Sequence, residues 1–232
     1  MNKSDADRIA PAEHGAPAYV RLSRTETEAL CLKATRGAGY SWGIAEEAGA
    51  ATGWLCANGV DGTDALLAVL DAPGMTAPEA APENWSSPEG RALCPLLTGA
   101  ALVDFAPLPG GPLHARTLLG PVRQPVLLLP FLSACAEDLG TSVQLEWSGH
   151  TLLIGQAIHA TPQAIAALTG AALAVVTIAR VDHPEPPAAP APCAVAQQKT
   201  VQALEDLALR TTVPASDASR NSGAGAGTSD ND

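Results

Sequence analysis

Aromatic side chains, basic charge and long apolar runs are all scarce in this chain, and each shortage narrows what it can be. Only 3% of its residues are aromatic although 47% are hydrophobic. The core must therefore be built from Ala, Leu and Val, which favours close approach of elements over filling by large rings. Lys and Arg number 13 against 24 Asp and Glu, a net charge of −11. That balance argues against a nucleic-acid partner, because neutralising phosphates needs clustered cations, and it is equally unsuited to an anionic membrane surface. The longest apolar stretch, 126–136, is broken by Pro130 and Ser133 and is too short to span a bilayer. The opening MNKSDADRIAPAEHG lacks the apolar run of a signal peptide, so a cytoplasmic location is expected.

Metal and redox chemistry are also thinly provided for. The five cysteines, at 31, 56, 94, 135 and 193, show no metal-ligand spacing, and their odd number suits reduced thiols. His114, His150 and His159 stand apart without the spacing of a ligand pair, so no metal site is expected. Neither a nucleophile elbow, a phosphate-binding loop nor a dinucleotide fingerprint occurs, and no cofactor is expected. Cys56, near the end of a predicted helix, suits a buried small hydrophobe better than a reactive thiol.

What the chain has in excess is glycine and proline, 21 and 20, which point to long connections and flexible ends. Residues 1–18 are polar and expected to be disordered. Ser23-Arg24-Thr25-Glu26 fits a capping box and opens a helix that Gly37 terminates. Ser41 caps a second helix running to about Asn58, and a third covers Asp64–Leu70. Residues 71–92, with four prolines, read as a connection. Beyond it the texture turns β-rich. Ala100–Ala106, Leu113–Leu119 and Val126–Leu129 read as strands, followed by a helix near Phe131–Leu139. Val143, Leu145 and Trp147 alternate with polar residues as a half-buried strand does. A tight turn at Ser148-Gly149 leads to a strand at Thr151–Gly155. Thr161-Pro162 starts a helix, and Leu173–Val181 reads as a central strand.

The expected class is α+β: N-terminal helices, then a mixed sheet with short helices. From Leu113 onward the order β-α-β-β-α-β is the split-βαβ, ferredoxin-like one. One domain is expected over 19–182, with a helical part at 19–70, the connection at 71–92 and a β-rich part at 93–182. A Pro-rich linker at 183–195 could reach about 30 Å in polyproline II form. It delivers an amphipathic helix at 196–210, with Val201, Leu204 and Ala208 on one face, and then a Gly/Ser-rich tail at 211–232.

Two segments stand out as candidate sites. In Arg36–Gly49, Tyr40, Trp42 and Trp54 fall close together in a chain poor in aromatics. Gly37, Gly39 and Gly43 can expose backbone amides beside a helix start, a ready site for an anion. Arg36 would anchor that anion, Trp42 would wall it, and Glu46 or Glu47 would serve as general acid or base. The plainer reading of the same residues is packing: Arg36 pairs locally, Trp42 fills core, and the Ala45, Gly49, Gly53 stripe lets another element approach closely. The second segment is the tail, where Ser219 and Arg220 precede Gly-Ala-Gly-Ala-Gly. Successive amides there could hold an anion, or the tail could dock on a partner subunit; its plain reading is a disordered terminus.

The residues Arg36-Gly37-Ala38-Gly39, Trp42-Gly43, Ala45-Glu46-Glu47-Ala48-Gly49 and Trp54-Leu55 carry a resemblance to a bacterial domain-of-unknown-function family. Leu129-Pro130-Phe131, Glu146-Trp147, Val213-Pro214-Ala215-Ser216 and Ser219-Arg220 follow the same pattern. The resemblance implies that the tail is part of the design, and it brings no activity with it. The leading expectation is an accessory protein that binds an organic anion, homo-oligomeric or attached to a partner through its C-terminal arm. The alternatives are a small metal-free enzyme acting on an organic acid through a Glu acid/base, and a purely structural docking subunit.

Overall fold

The computed structural model describes residues 18–72, 76–81, 83–182 and 192–211. Most of residues 1–18, most of the Pro-rich segment and the tail with Ser219 and Arg220 lie outside the described residues.

Three helices form one layer, and local sequence explains where each begins. Helix α1 (Arg24–Gly37) opens on the capping box. Ser23 Oγ accepts from the Glu26 N–H at 3.2 Å, and Glu26 Oε2 accepts from the Ser23 N–H at 2.8 Å. Two of the helix's orphan donors are thereby satisfied. Arg24 and Glu28 add an i,i+4 pair at 2.7 Å. Helix α2 (Trp42–Ala57) is capped by Ser41. Helix α3 (Thr63–Leu70) follows Asp61, whose Oδ1 accepts from both the N–H and the hydroxyl of Thr63, at 2.9 and 2.7 Å. Ala45, Ala48, Gly49, Thr52 and Gly53 form the buried face of α2. A Cβ on Gly49 would lie 2.7 Å from the Glu28 carbonyl oxygen, so the absence of a side chain is what lets α1 and α2 pack backbone to backbone.

The second layer is a mixed sheet. Strands β2 (Glu79–Ala81), β3 (Asn84–Ser86), β4 (Thr117–Arg123), β5 (Ser142–Trp147), β6 (His150–Ile154), β7 (Ile158–His159) and β8 (Leu173–Val181) lie in the order β2-β3-β4-β8-β5-β6-β7. Helix α4 (Pro95–Phe105), helix α5 (Leu129–Asp138) and helix α6 (Pro162–Thr169) complete the body. The β4-α5-β5 crossover straddles β8, and β6-α6-β8 straddles β5, so both are split βαβ units. The second and fourth strands of this unit, β5 and β8, are central. Leu119, Val122, Val143, Leu145, Val176 and Ile178 point into the core, while Leu118, Leu173 and Val175 stay exposed on the opposite face. The alternation is that of a sheet covered on one side.

Several elements differ from the sequence reading. Ala100–Ala106, expected as a strand, belongs to α4, which starts with Pro95 at its first position and buries Leu96 and Leu102. A short apolar run has no decisive period, and the helical start signal at Pro95 outweighs the β-rich look of the run. Val126–Leu129, also expected as a strand, is a 3-10 turn at Pro125–Leu128 leading directly into α5. Pro125 and Pro130 each sit at a helical start, where their fixed φ helps and their missing N–H costs nothing. Leu113–Leu119 becomes strand only at Thr117, which then runs on to Arg123. The connection 71–92 contains the hairpin β2–β3, joined to the sheet by parallel pairing of β3 with β4. Strands of three residues are too short to show a period.

The C-terminal helix is part of the body. Strand β1 (Tyr19–Arg21) pairs antiparallel with β9 (Val195–Gln197), which leads into α7 (Gln198–Leu209). Val201, Leu204 and Leu207 are buried, and Leu204 and Leu207 join the main core. Gly37 allows the close approach of α1 to the Leu207 carbonyl. Asp64 on α3 completes the docking by accepting from Gln197 Nε2 at 2.6 Å and from the Thr200 hydroxyl.

Candidate functional site

The turn between α1 and α2 gathers Arg36, Gly39, Trp42 and Gly43 into one small surface, with Tyr40 beneath it. Gly39 adopts φ +97°, a conformation that a side chain would strain, and it turns the chain from one helix into the next. Trp42 is the first residue of α2 and stands 62% exposed. Arg36 lies in the last turn of α1, half-buried, with its guanidinium carbon 4.8 Å from the Trp42 ring centroid. That separation is a cation–π contact, worth about 0.5–1 kcal/mol at an exposed position. Arg36 Nη1 also donates to the Tyr40 carbonyl. Its other donors have no partner among the described residues. The cation also complements the carbonyl-rich C-terminal end of α1.

Tyr40 anchors this surface from below. It is half-buried, and burial, helped by the nearby Cys94 thiol, pushes its hydroxyl above the ordinary range. Burial pushes the Cys94 thiol up in turn. Both groups stay neutral and structural. Trp42 and Arg36 are thus an exposed plate held on a fixed support.

The remaining predicted residues fall differently. Glu46 and Glu47 lie one turn into α2 on its exposed side. Gly43 faces open space, whereas Gly49 and Gly53 meet Glu28 of α1. The stripe of small residues is therefore used by the α1–α2 packing. Gly37 is spent on the approach to α7. Of the expected site residues, the fold brings Arg36, Gly39, Trp42 and Gly43 to one surface, with the two glutamates at its rim.

Other concavities lie elsewhere. A cleft of about 660 Å³ separates the α2–α3 turn from α6, lined by the apolar Val60, Ile158 and Ile165 and by Asp61. Burial raises the Asp61 carboxyl, an effect the two hydrogen bonds from Thr63 oppose. A groove of about 540 Å³ runs between α1 and α7, past Leu22, Leu30, Val201 and Leu209. Sequence reading passed over Asp61; the Asp-Gly-Thr turn in front of α3 was its only signal. Among the described residues no His, Cys, Asp and Glu cluster could hold a metal ion, and no helix is long and apolar enough to cross a membrane.

Residues 22–110 match the model of an uncharacterised domain family described as Protein of unknown function (DUF3726). The matched segment holds the whole α1–α2 layer and α4, and it ends before the main strands of the sheet. No curated protein and no solved structure matches the chain.

Proposed function

We propose that this protein is an accessory binding protein whose Arg36–Trp42 plate receives an organic anion. One observation carries the reading: a guanidinium seated on a largely exposed indole, tied down through a single nitrogen to the Tyr40 carbonyl. Arg and Trp are the side chains most often found at the energetic centre of binding surfaces. The donors of Arg36 left over after the Tyr40 bond suit a carboxylate, and the exposed face of Trp42 suits the apolar body attached to it. Such a ligand is either a free organic acid or a carboxylate displayed on a partner. Catalysis by Glu46 or Glu47 would need a carboxylate turned into a cleft within reach of a substrate proton. Their exposed position on α2 favours binding over chemistry.

The test is titration of the full chain with an aromatic carboxylate such as phenylpropionate, following indole N–H resonances by NMR. Trp42 is expected to shift and saturate at roughly millimolar ligand, while Trp85 and Trp147, both buried, stay in place. Arg36→Gln should abolish the shift. A Trp42 signal unmoved in the wild type, or moved equally in Arg36→Gln, would sink the reading.

A further inference from the structure

We infer that Cys56 and Cys193 form a redox-modification site: a thiol pair that closes to a disulfide by exchange with a small-molecule disulfide of the glutathione type. The bond would fasten the β9–α7 segment to the C-terminal end of α2. This inference does not depend on the organic-anion reading.

The two cysteines are 137 positions apart in sequence, and the fold brings them together through three separate contacts. The Ala194 N–H donates to the Cys56 carbonyl at 3.0 Å, setting the backbones side by side. Arg21 Nη1 donates to the Cys193 carbonyl at 2.9 Å, continuing the β1–β9 ladder that pairs Arg21 with Val195. The Cys56 Sγ–H donates to the carbonyl of Leu22, the residue that follows β1, at 3.7 Å. The Cys193 thiol lies near enough to add to the effect of burial on the Cys56 thiol. A disulfide asks for Cα atoms about 4.4–6.8 Å apart and Cβ atoms that face each other. The Ala194–Cys56 hydrogen bond sets the two cysteine backbones side by side, the arrangement such a bond calls for.

The two thiols have different environments, and this assigns their roles. Cys193 is partly exposed and Cys56 is buried. Burial pushes the Cys56 thiol above its ordinary value, so it rests as the neutral form. Cys193 is therefore the attacking group. Its thiolate attacks one sulfur of the small disulfide, the old S–S bond breaks, and one small thiolate leaves and takes up a proton. A mixed disulfide on Cys193 results. Cys56 then loses its proton, attacks Cys193 Sγ and expels the second small thiol. Two protein thiols are oxidised, one small disulfide is reduced to two thiols, and no other reactant is needed. Cys31, Cys94 and Cys135 are buried, and burial raises all three, Cys31 and Cys135 to about 12. They stand outside the exchange.

The experiment incubates the full reduced chain with oxidised glutathione at about pH 8.5, where thiol exchange is fast. Remaining thiols are blocked, and linked peptides are mapped by mass spectrometry. Thiols counted after denaturation should fall from the five of the reduced chain to three, with Cys56 linked to Cys193. The oxidised protein should melt at a higher temperature than the reduced one, and dithiothreitol should reverse both effects. Cys193→Ser should fold normally, since that side chain is partly exposed, and should yield no linked peptide. A glutathione adduct that persists on Cys193 with Cys56 free, or a Cys31–Cys56 link, would overturn the assignment. An oxidised form melting no higher than the reduced one would overturn the fastening.

Discussion

At its N-terminal end α2 holds Trp42 out to solvent under the Arg36 guanidinium. At its C-terminal end the same helix buries Cys56 against the Leu22 carbonyl, with the Cys56 carbonyl bonded to Ala194 from a distant part of the chain. The first end is conspicuous in the sequence, because aromatic, basic and glycine residues crowd into one short segment. The second end is inconspicuous, because a lone cysteine in an apolar helix looks like any small core residue. The contrast teaches that crowding in sequence and closeness in space are different signals. Much of the crowding at the first end serves packing: Gly49 and Gly53 admit α1, and Gly37 admits α7. At the second end the closeness comes from contacts between distant segments: the β1–β9 pairing, the Ala194–Cys56 hydrogen bond and the docking of α7.

The comparison can be broken most forcefully through α7, which holds β9 and Cys193 in place. Leu204 is fully buried, so Leu204→Ala should cost about 2–5 kcal/mol. Chemical denaturation measures this; a loss below about 0.5 kcal/mol would mean that α7 is peripheral to the core. Gly49→Val places a side chain against the Glu28 carbonyl and should cost about 1–3 kcal/mol through overpacking. If it is neutral instead, the small-residue stripe is free for something other than α1.

Ser23→Ala should cost about 1 kcal/mol through loss of the cap. Its pH dependence has a definite sign. The Ser23 backbone N–H, and then its hydroxyl, hold the Glu26 carboxyl below its ordinary value. The contribution of the ionised cap is therefore present above the unfolded glutamate value of about 4.3 and is lost as pH falls through the depressed folded value. Thermal melts of wild type and Glu26→Gln should differ at neutral pH and converge in acid. A difference that grows in acid would contradict the cap.

The smallest effects on stability fall at the plate. Arg36→Gln and Trp42→Ala should each change unfolding free energy by about 1 kcal/mol or less, the scale of an exposed cation–π pair. Each should nevertheless remove carboxylate binding at Trp42. Stability losses several times larger would make the plate a packing device, and the distinction between the two ends of α2 would close.

Much of the helical layer was readable from the sequence because its signals are local. The capping box at Ser23–Glu26, the cap at Ser41 and the Thr161-Pro162 start are all found where their residue types place them. The alternation through Val143, Leu145 and Trp147 marked β5 for the same reason. Val126–Leu129 is buried at every position, which erases the period that separates helix from strand, and Ala100–Ala106 is too short an apolar run to show one. The hairpin β2–β3 was missed because its strands hold too few residues to alternate visibly.

The candidate site divides along the same line. Arg36, Gly39 and Trp42 could be singled out from composition and spacing, since they act within one turn of chain. Which glycines serve a surface and which serve packing depends on what lies across from each. Glu28 and Leu207 come from other helices, and no pattern around Gly49 or Gly37 names them. The Cys56–Cys193 pair is the extreme case. Residue chemistry, helix ends and the acidic balance are written locally along the chain. Contacts between distant segments exist only once burial of apolar surface has chosen which elements meet, and that choice belongs to the whole fold.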